Sequence, residues 1–434
     1  MRNAKQDEAA APLAAEPTGP RDTPGDSGCP VWHGYDPLSP EELADPYPSF
    51  AQARREAPVF YSPAPDTWSV ANHSDVLAIL KDVDNFSSRA ALPIPDPPRE
   101  LRDRMPEYPW AHSLLTMDDP EHRPARAAVQ KPFTPRRVAQ LEAGIRSRAT
   151  GLLDSLADTS SIEFVGGYAY PLSLSVIGEL LGIAPSRLPL LRTAVEGAFR
   201  LLGEGVTDPH EVLEVSRDIA DLVEYMNRLV DEKRRSPGDD FTSAMAMSPG
   251  ASGSTATTDE LVRNVWVIIG AGFETSANMI ALGMHALLDH PDQWQLLLSD
   301  RTLVDSAVEE MLRYRTLVKR IYRSANREVT VAGVKIPAGA RVSLLTASAN
   351  RDPDGYPDDP DRFDISRKRE HLAFGRWKHF CVGAPLARLE MRITLETMLD
   401  RFPDVRVDER EPLEWKRDVR MDVLKRLVLR LPSP

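Results

Sequence analysis

Cysteine is nearly absent: the 434 residues contain two, Cys29 and Cys381. Two cysteines so far apart in sequence, one of them in a Pro/Gly-rich leader, exclude a disulfide framework and point to a reducing compartment. They also exclude the usual structural zinc sites, which draw several Cys and His ligands at set spacings. Basic charge is outweighed, with 53 Lys and Arg against 65 Asp and Glu and a formal net charge of −12. Such a chain gains little from a phosphate backbone, which argues against non-specific nucleic-acid binding. An apolar N-terminal run is missing too. Arg2 and Lys5 are followed by residues 7–30 rich in Ala, Pro, Gly, Asp and Glu. That composition reads as a disordered leader, not as a signal peptide or membrane anchor. The expected location is the cytoplasm.

The rest of the chain is ordinary for a globular protein with a large core, 42% hydrophobic and 27% charged. Val59 and Tyr61, then Trp68 and Val70, suggest a hairpin. Ser74 is a candidate cap for a helix running to Lys81, with Asp75 in its first turn. Residues 84–120 are rich in proline and charge and show no sustained period, and a loop of that length is usually functional. Helical patterns follow at 138–156, 172–181, 188–202, 212–233, 261–288, 302–314 and 384–401. Between the last two, Val329, Val331, Val334, Ile336 and the segment 341–345 read as a small sheet. The expected class is mainly α with a small β subdomain: a leader over 1–30, then one domain over 31–434.

The segment Phe374-Gly375-Arg376-Trp377-Lys378-His379-Phe380-Cys381-Val382-Gly383 sets a cysteine just before an amphipathic helix. A thiolate there gains from free amides and the helix dipole, which suits a nucleophile or a soft metal ligand. An inert buried thiol is the default for a lone cysteine. The run 261–288 is long enough to span a bilayer, but Arg263, Asn264, Glu274 and Asn278 interrupt it, so a buried core helix is the better reading. Within it, Gly270-Ala271-Gly272-Phe273-Glu274-Thr275 puts glycines and an acid–alcohol pair where neither stabilises a helix.

These segments resemble motifs of the cytochrome P450 family, in the family's order, from about Asp45 to the C-terminus. The cysteine segment is similar to the family's heme-binding loop through Phe374, His379, Cys381 and Gly383. The resemblance implies that Cys381 ligates the iron of heme b and that His379 bonds a propionate, within a cytochrome P450 fold. Gly272 and Ala271 would let heme and dioxygen approach the helix, Thr275 would hydrogen-bond oxygen, and Glu274 would relay protons. His122 and Arg126, four apart, and Arg323 match positions that hold propionates. Glu310 and Arg313 resemble a Glu-x-x-Arg helix whose network Arg362 would complete. One position departs from the pattern: Trp377 stands where the loop expects glycine. A Cβ makes positive φ costly, so either the loop is reshaped or the indole packs by the thiolate. Cys29-Pro30-Val31-Trp32-His33-Gly34 also looks like the start of heme domains fused to a reductase, although no reductase segment follows here.

The resemblance implies a monooxygenase that hydroxylates, epoxidises or couples a small organic substrate, in secondary metabolism or catabolism. Electrons from NAD(P)H would arrive through a ferredoxin-type partner. Arg126, Lys131, Arg136, Arg137, Arg376, Lys378, Arg388 and Arg392 are expected to form a basic docking face on the thiolate side. Substrate is expected near 84–120, 188–215, 268–271 and 317–321, where Lys319 and Arg320 would meet an anionic substrate or, the favoured reading, face solvent or a propionate. Two alternatives stay open: a heme-thiolate enzyme with another outcome, such as coupling, desaturation or peroxide use, and a non-catalytic heme-binding protein altered by Trp377. A cysteine hydrolase is remote, because no base and orienting group are arranged with Cys381 as a triad.

Overall fold

The computed structural model describes residues 30–431 except 33–34, 64, 90, 93–94, 157–159, 204–205, 207 and 249–255. The leader through Cys29 lies outside the described residues. Helices dominate, with four small sheets beside them. The helix Thr258–Leu288 runs through the middle of the larger hydrophobic core. Its start is set by a capping box between Thr257 and Glu260. At 31 residues, it is about 46 Å long. Among the described residues it alone is apolar enough to cross a membrane, and most of it is buried inside the protein. An all-round apolar helix is what a core position requires.

Around it pack the helices Tyr170–Leu180, Leu188–Gly203, Pro209–Arg235, Val304–Tyr314 and Ala384–Arg401. The expected 138–156 helix is two pieces, Pro135–Gln140 and Glu142–Leu156, broken at Leu141. The helix His73–Lys81 begins one residue before Ser74. Its cap position is Asn72, whose side chain makes no capping bond, and Asp352 instead receives the His73 N–H at 2.7 Å.

The expected hairpin is present as Val59–Ser62 and Thr67–Val70. It continues into a five-stranded sheet: Thr67–Val70 pairs in parallel with Arg341–Leu344, which pairs antiparallel with Ile321–Ala325, and Phe86–Ser87 forms the far edge. Val329–Val331 and Val334–Ile336 form their own hairpin. A third hairpin, Glu414–Arg417 with Asp422–Arg426, returns its turn toward residues 317–319: Lys319 N–H donates to Arg420 O at 2.7 Å, and Asp422 N–H to Leu317 O at 2.8 Å. The sheets thus bring Ile321–Ala325 and the 418–421 turn beside a cavity that the middle of the central helix also lines.

Candidate functional site

Cys381 ends a tight loop. Its N–H donates to Phe374 O at 2.9 Å, and Gly375 N–H to Leu372 O at 2.9 Å. Gly375 has φ +63, a conformation glycine enters without steric cost. Three residues of 3₁₀ helix, Trp377–His379, lead into Cys381, and the helix Ala384–Arg401 follows with Pro385 in its first turn. The cysteine has accessible surface only as part of a cavity wall; protein otherwise crowds it on every side. Burial pushes the thiol pKa up, opposed by the Gly383 and Ala384 amides and the Arg126 and Arg388 guanidiniums. Amides at a helix start aimed at sulfur are the arrangement expected of a thiolate site.

Trp377 itself takes a left-handed φ of +60, the region that favours glycine. Its indole does not pack by the sulfur. The ring is 50% exposed, its Nε1–H reaches Leu77 O at 3.4 Å, and Lys81 Nζ lies 5.6 Å over its centroid. At a left-handed φ the Cβ leaves on the outer side of the bend, so the bulk lands on the helix His73–Lys81.

The cavity beside Cys381 has a volume of about 420 Å³ and mostly apolar walls. Donors gather on one flank. His122, on the helix His122–Gln130, is buried and its Nε2 has no hydrogen-bond partner among the described residues. Its ring stands 4.2 Å from that of His379, centroid to centroid. Arg126, one turn on, and Arg323, on the strand Ile321–Ala325, line the same space. Each of the four has a pKa displaced toward its neutral form, chiefly by burial: His379 to about 3 and Arg323 to about 10, His122 and Arg126 by lesser amounts. Buried cations and an unpartnered imidazole nitrogen call for anions that this chain does not supply. Two carboxylates lie nearby: Asp119 is paired with Lys378, and Asp118 accepts from Ser87 Oγ at 2.5 Å and the Ser88 N–H at 2.8 Å, while Ser88 Oγ meets His379 Nε2 at 3.0 Å. A flat macrocycle with two propionates fits this set: donors on one flank, apolar walls, and sulfur at one face. Ser88 and Asp118, which orient His379, carried no motif by which sequence alone could single them out.

Across the cavity lie Ala271, Gly272 and Thr275 of the central helix. Thr275 Oγ1 donates to Ala271 O one turn back, a short bond that holds the hydroxyl at the cavity wall. A methyl at Gly272 would fall 2.5 Å from Ile177 Cδ1, so this glycine also admits the helix Tyr170–Leu180. Glu274 is buried on another face of the turn, near Tyr170 and Arg192.

Two expectations are corrected. Glu310 and Arg313 do form a buried bidentate pair, with bonds of 2.7 and 2.8 Å. Arg362, however, contributes only its carbonyl oxygen to Arg313 Nη2, at 3.2 Å; its side chain turns to Asp364 and is 64% exposed. The second arginine on Glu310 is Arg367, 3.4 Å away and 6% exposed. Lys319 and Arg320 do not face solvent: both are buried, and Arg320, at the cavity wall, donates to Tyr35 Oη at 2.7 Å and lies over Tyr35 and Phe50.

Most of the expected basic face is internally neutralised. Arg388 holds Glu309 with bonds of 2.6 and 2.8 Å, and Arg392 holds Glu142 at 2.8 Å and Glu396 at 3.1 Å. Arg137 pairs with Asp239, Arg376 with Glu370 and Lys378 with Asp119. Lys131 and Arg136 are exposed and make no ion pair among the described residues.

The family model described as cytochrome P450 matches residues 207–419. Cytochrome P450 monooxygenase PikC of Streptomyces venezuelae is 37% identical over 86% of this chain and 87% of its own length. The 6-deoxyerythronolide B hydroxylase of Saccharopolyspora erythraea is 32% identical over 89% of this chain and 96% of its own. The structure of CYP109Q5 from Chondromyces apiculatus superposes with a TM-score of 0.82 at 33% identity, covering 92% of this chain and 98% of that one. By sequence and by fold, this chain belongs to the cytochrome P450 family of heme-thiolate monooxygenases, whose members bind heme b.

Proposed function

We propose that Cys381 is the axial ligand of heme b and that His122, Arg126, Arg323 and His379 hold its propionates. The observation that carries this reading is the convergence of the desolvated Arg126, Arg323 and His379 on the cavity that Cys381 also lines, with the buried His122 ring against His379. Heme held there would supply activation of dioxygen, one oxygen atom entering an organic substrate and the other leaving as water with two electrons and two protons, and the Cys381 thiolate would donate electron density that favours O–O cleavage. The chain's own part is to hold, exclude and deliver. Phe374, packed under the Arg388 guanidinium at 4.7 Å, shields the sulfur side from water. Thr275 holds a hydroxyl proton at Oγ1 on the cavity wall, and Glu274 passes protons inward from the Tyr170 and Arg192 side, general-acid work at the buried end of a relay. Electrons come from NAD(P)H through a ferredoxin-type protein, in the cytoplasm.

The substrate is a small, largely apolar organic molecule, as the lining of the cavity favours. Hydroxylation is the outcome we favour, and a place in secondary metabolism agrees with a relative whose name describes the hydroxylation of 6-deoxyerythronolide B. The outward indole of Trp377 leaves the loop bend in place, which favours a working thiolate site over a non-catalytic heme binder. The test is the absorbance spectrum of the reduced, carbon-monoxide-bound protein. A strongly red-shifted Soret band is expected for wild type and for Trp377→Gly, and its loss for Cys381→Ser. Absence of heme, or a wild-type band typical of a neutral ligand, overturns the reading.

A further inference from the structure

Five arginines line the cavity, Arg126, Arg320, Arg323, Arg376 and Arg420, and no Asp or Glu does. Four have work. Arg126 and Arg323 belong to the donor flank, Arg320 is bound to Tyr35, and Arg376 is paired with Glu370. Arg420 is left over. It sits in the turn of the hairpin Glu414–Arg417/Asp422–Arg426, pinned by its carbonyl to the Lys319 N–H. Its side chain is 11% exposed and makes no hydrogen bond among the described residues, and its Nε and Nη2 are buried without a partner.

The nearest carboxylate does not satisfy it. Asp418 Oδ1 lies 3.9 Å from Nε, beyond hydrogen-bond reach, and already accepts the Arg420 and Met421 N–H groups at 2.7 and 3.1 Å. Asp418 also shares its charge with the buried Lys319. Nearby, Arg315, Lys319 and Arg320 face Asp418, Asp422 and Glu42, and burial moves Lys319 and Glu42 alike toward their neutral forms. A guanidinium left in the state of Arg420 is costly unless a ligand completes it; its Nε/Nη2 edge is closed off by protein, and the Nη1 end is what a ligand carboxylate in the cavity can reach, by a charge-assisted hydrogen bond.

Resting on the proposed heme-thiolate site, the geometry points to Arg420 as a specificity-determining residue that binds a carboxylate on an otherwise apolar substrate. The anionic end of the substrate lies at the 418–421 turn, and the apolar body extends between there and Thr275.

The test is a spectral titration of the heme-loaded full chain with dodecanoate, methyl dodecanoate and dodecan-1-ol, reading the Soret shift that reports occupancy of the cavity. Wild type is expected to bind dodecanoate about ten- to a hundredfold more tightly than the ester or alcohol, the range of a charge-assisted hydrogen bond. Arg420→Met abolishes that preference and leaves ester and alcohol affinities within about threefold, whereas Arg420→Lys keeps part of it. Equal binding of acid and ester by wild type overturns the proposal. So does an equal loss for all three ligands in Arg420→Met, or faster heme loss from Arg420→Met with acid preference intact, which would make Arg420 a propionate partner. The reduced carbon-monoxide spectrum of each protein is recorded alongside. A missing thiolate band counts against the heme site itself, and a normal band without acid preference counts against Arg420 alone.

Discussion

At the scale of single residues, the clearest departure from expectation is Trp377, and the backbone explains it. A left-handed residue with a Cβ costs roughly 1–2 kcal/mol, and here the indole recovers part of that by lying on Leu77 and under Lys81. Trp377→Gly is therefore expected to keep the thiolate spectrum and to change unfolding free energy by no more than about 1 kcal/mol, as read by urea unfolding of the heme-loaded protein. A large spectral change would mean that the ring supports the sulfur after all. A second residue offers a pH test. Glu390, on the helix Ala384–Arg401, is fully buried; Ser173 Oγ donates to its Oε2 at 2.6 Å, and Oε1 has no hydrogen-bond partner among the described residues. Burial pushes its pKa up to about 8. The sign follows from proton counting: between the unfolded value near 4.5 and the folded value near 8, the folded state holds the proton and the unfolded state has lost it. Rising pH through that window thus removes stability, at up to about 1.4 kcal/mol per pH unit, and above it the loss is complete. The unfolding free energy of wild type should fall between pH 5 and 8.5 relative to Glu390→Gln, which has no proton to lose. Parallel pH profiles for the two proteins would show that Glu390 is charged in the fold.

At the scale of elements, sequence patterns located what periodicity and motif can carry. The hairpin at 59–70, the central helix and the cysteine helix Ala384–Arg401 were all legible, because each has a strong repeat or a boundary signal: a capping box for one, a proline in the first turn for another. The break at Leu141 was not, since its flanks are equally helical in composition. Nor was the partner of Glu310. Arg362 sits in the segment that resembles the family's loop, but which arginine of that loop turns inward depends on its path from Pro360 to Arg367, and no local spacing encodes that path. The structure therefore moves a prediction. Glu310 receives Arg313, Arg367 and the Asp364 N–H, tying the helix Val304–Tyr314 to that loop. Arg367→Ala should cost about 3 kcal/mol or more, the range for uncovering a buried charge, and should loosen heme retention. Arg362→Ala removes an exposed pair and should cost less than about 1 kcal/mol. Chemical denaturation of the two variants separates them, and equal costs would return Arg362 to the network.

At the scale of the whole molecule, the positions of the site residues were legible as isolated motifs, but their assembly was not. His122, Arg323 and His379 come from a helix, a strand and a loop more than two hundred residues apart in sequence at the extremes, and only the fold brings them to one flank. The same limit applies to charge. Counting arginines along the sequence gives a basic docking face; the fold spends most of that charge internally, joining Ala384–Arg401 to Val304–Tyr314 through Arg388 and to Glu142–Leu156 through Arg392. The acidic electron donor proposed above would therefore meet, on this side, the charge without an ion-pair partner among the described residues, at Lys131 and Arg136. Reversing both, Lys131→Glu with Arg136→Glu, should slow reduction by an acidic ferredoxin about tenfold at low ionic strength, with the difference shrinking as salt screens the encounter. Thermal stability should stay near that of wild type, because neither residue is holding an element in place. Arg388→Glu should do the reverse: it sets a carboxylate against Glu309, so its first effect is a lower melting temperature, and any slowing of electron transfer should track the unfolded fraction. Stopped-flow reduction and melting curves on the same preparations decide between them. Slower reduction in a fully stable Arg388→Glu, with normal reduction of the Lys131/Arg136 variant, would put the docking site on the paired arginines and show that an incoming partner competes for them with Glu309.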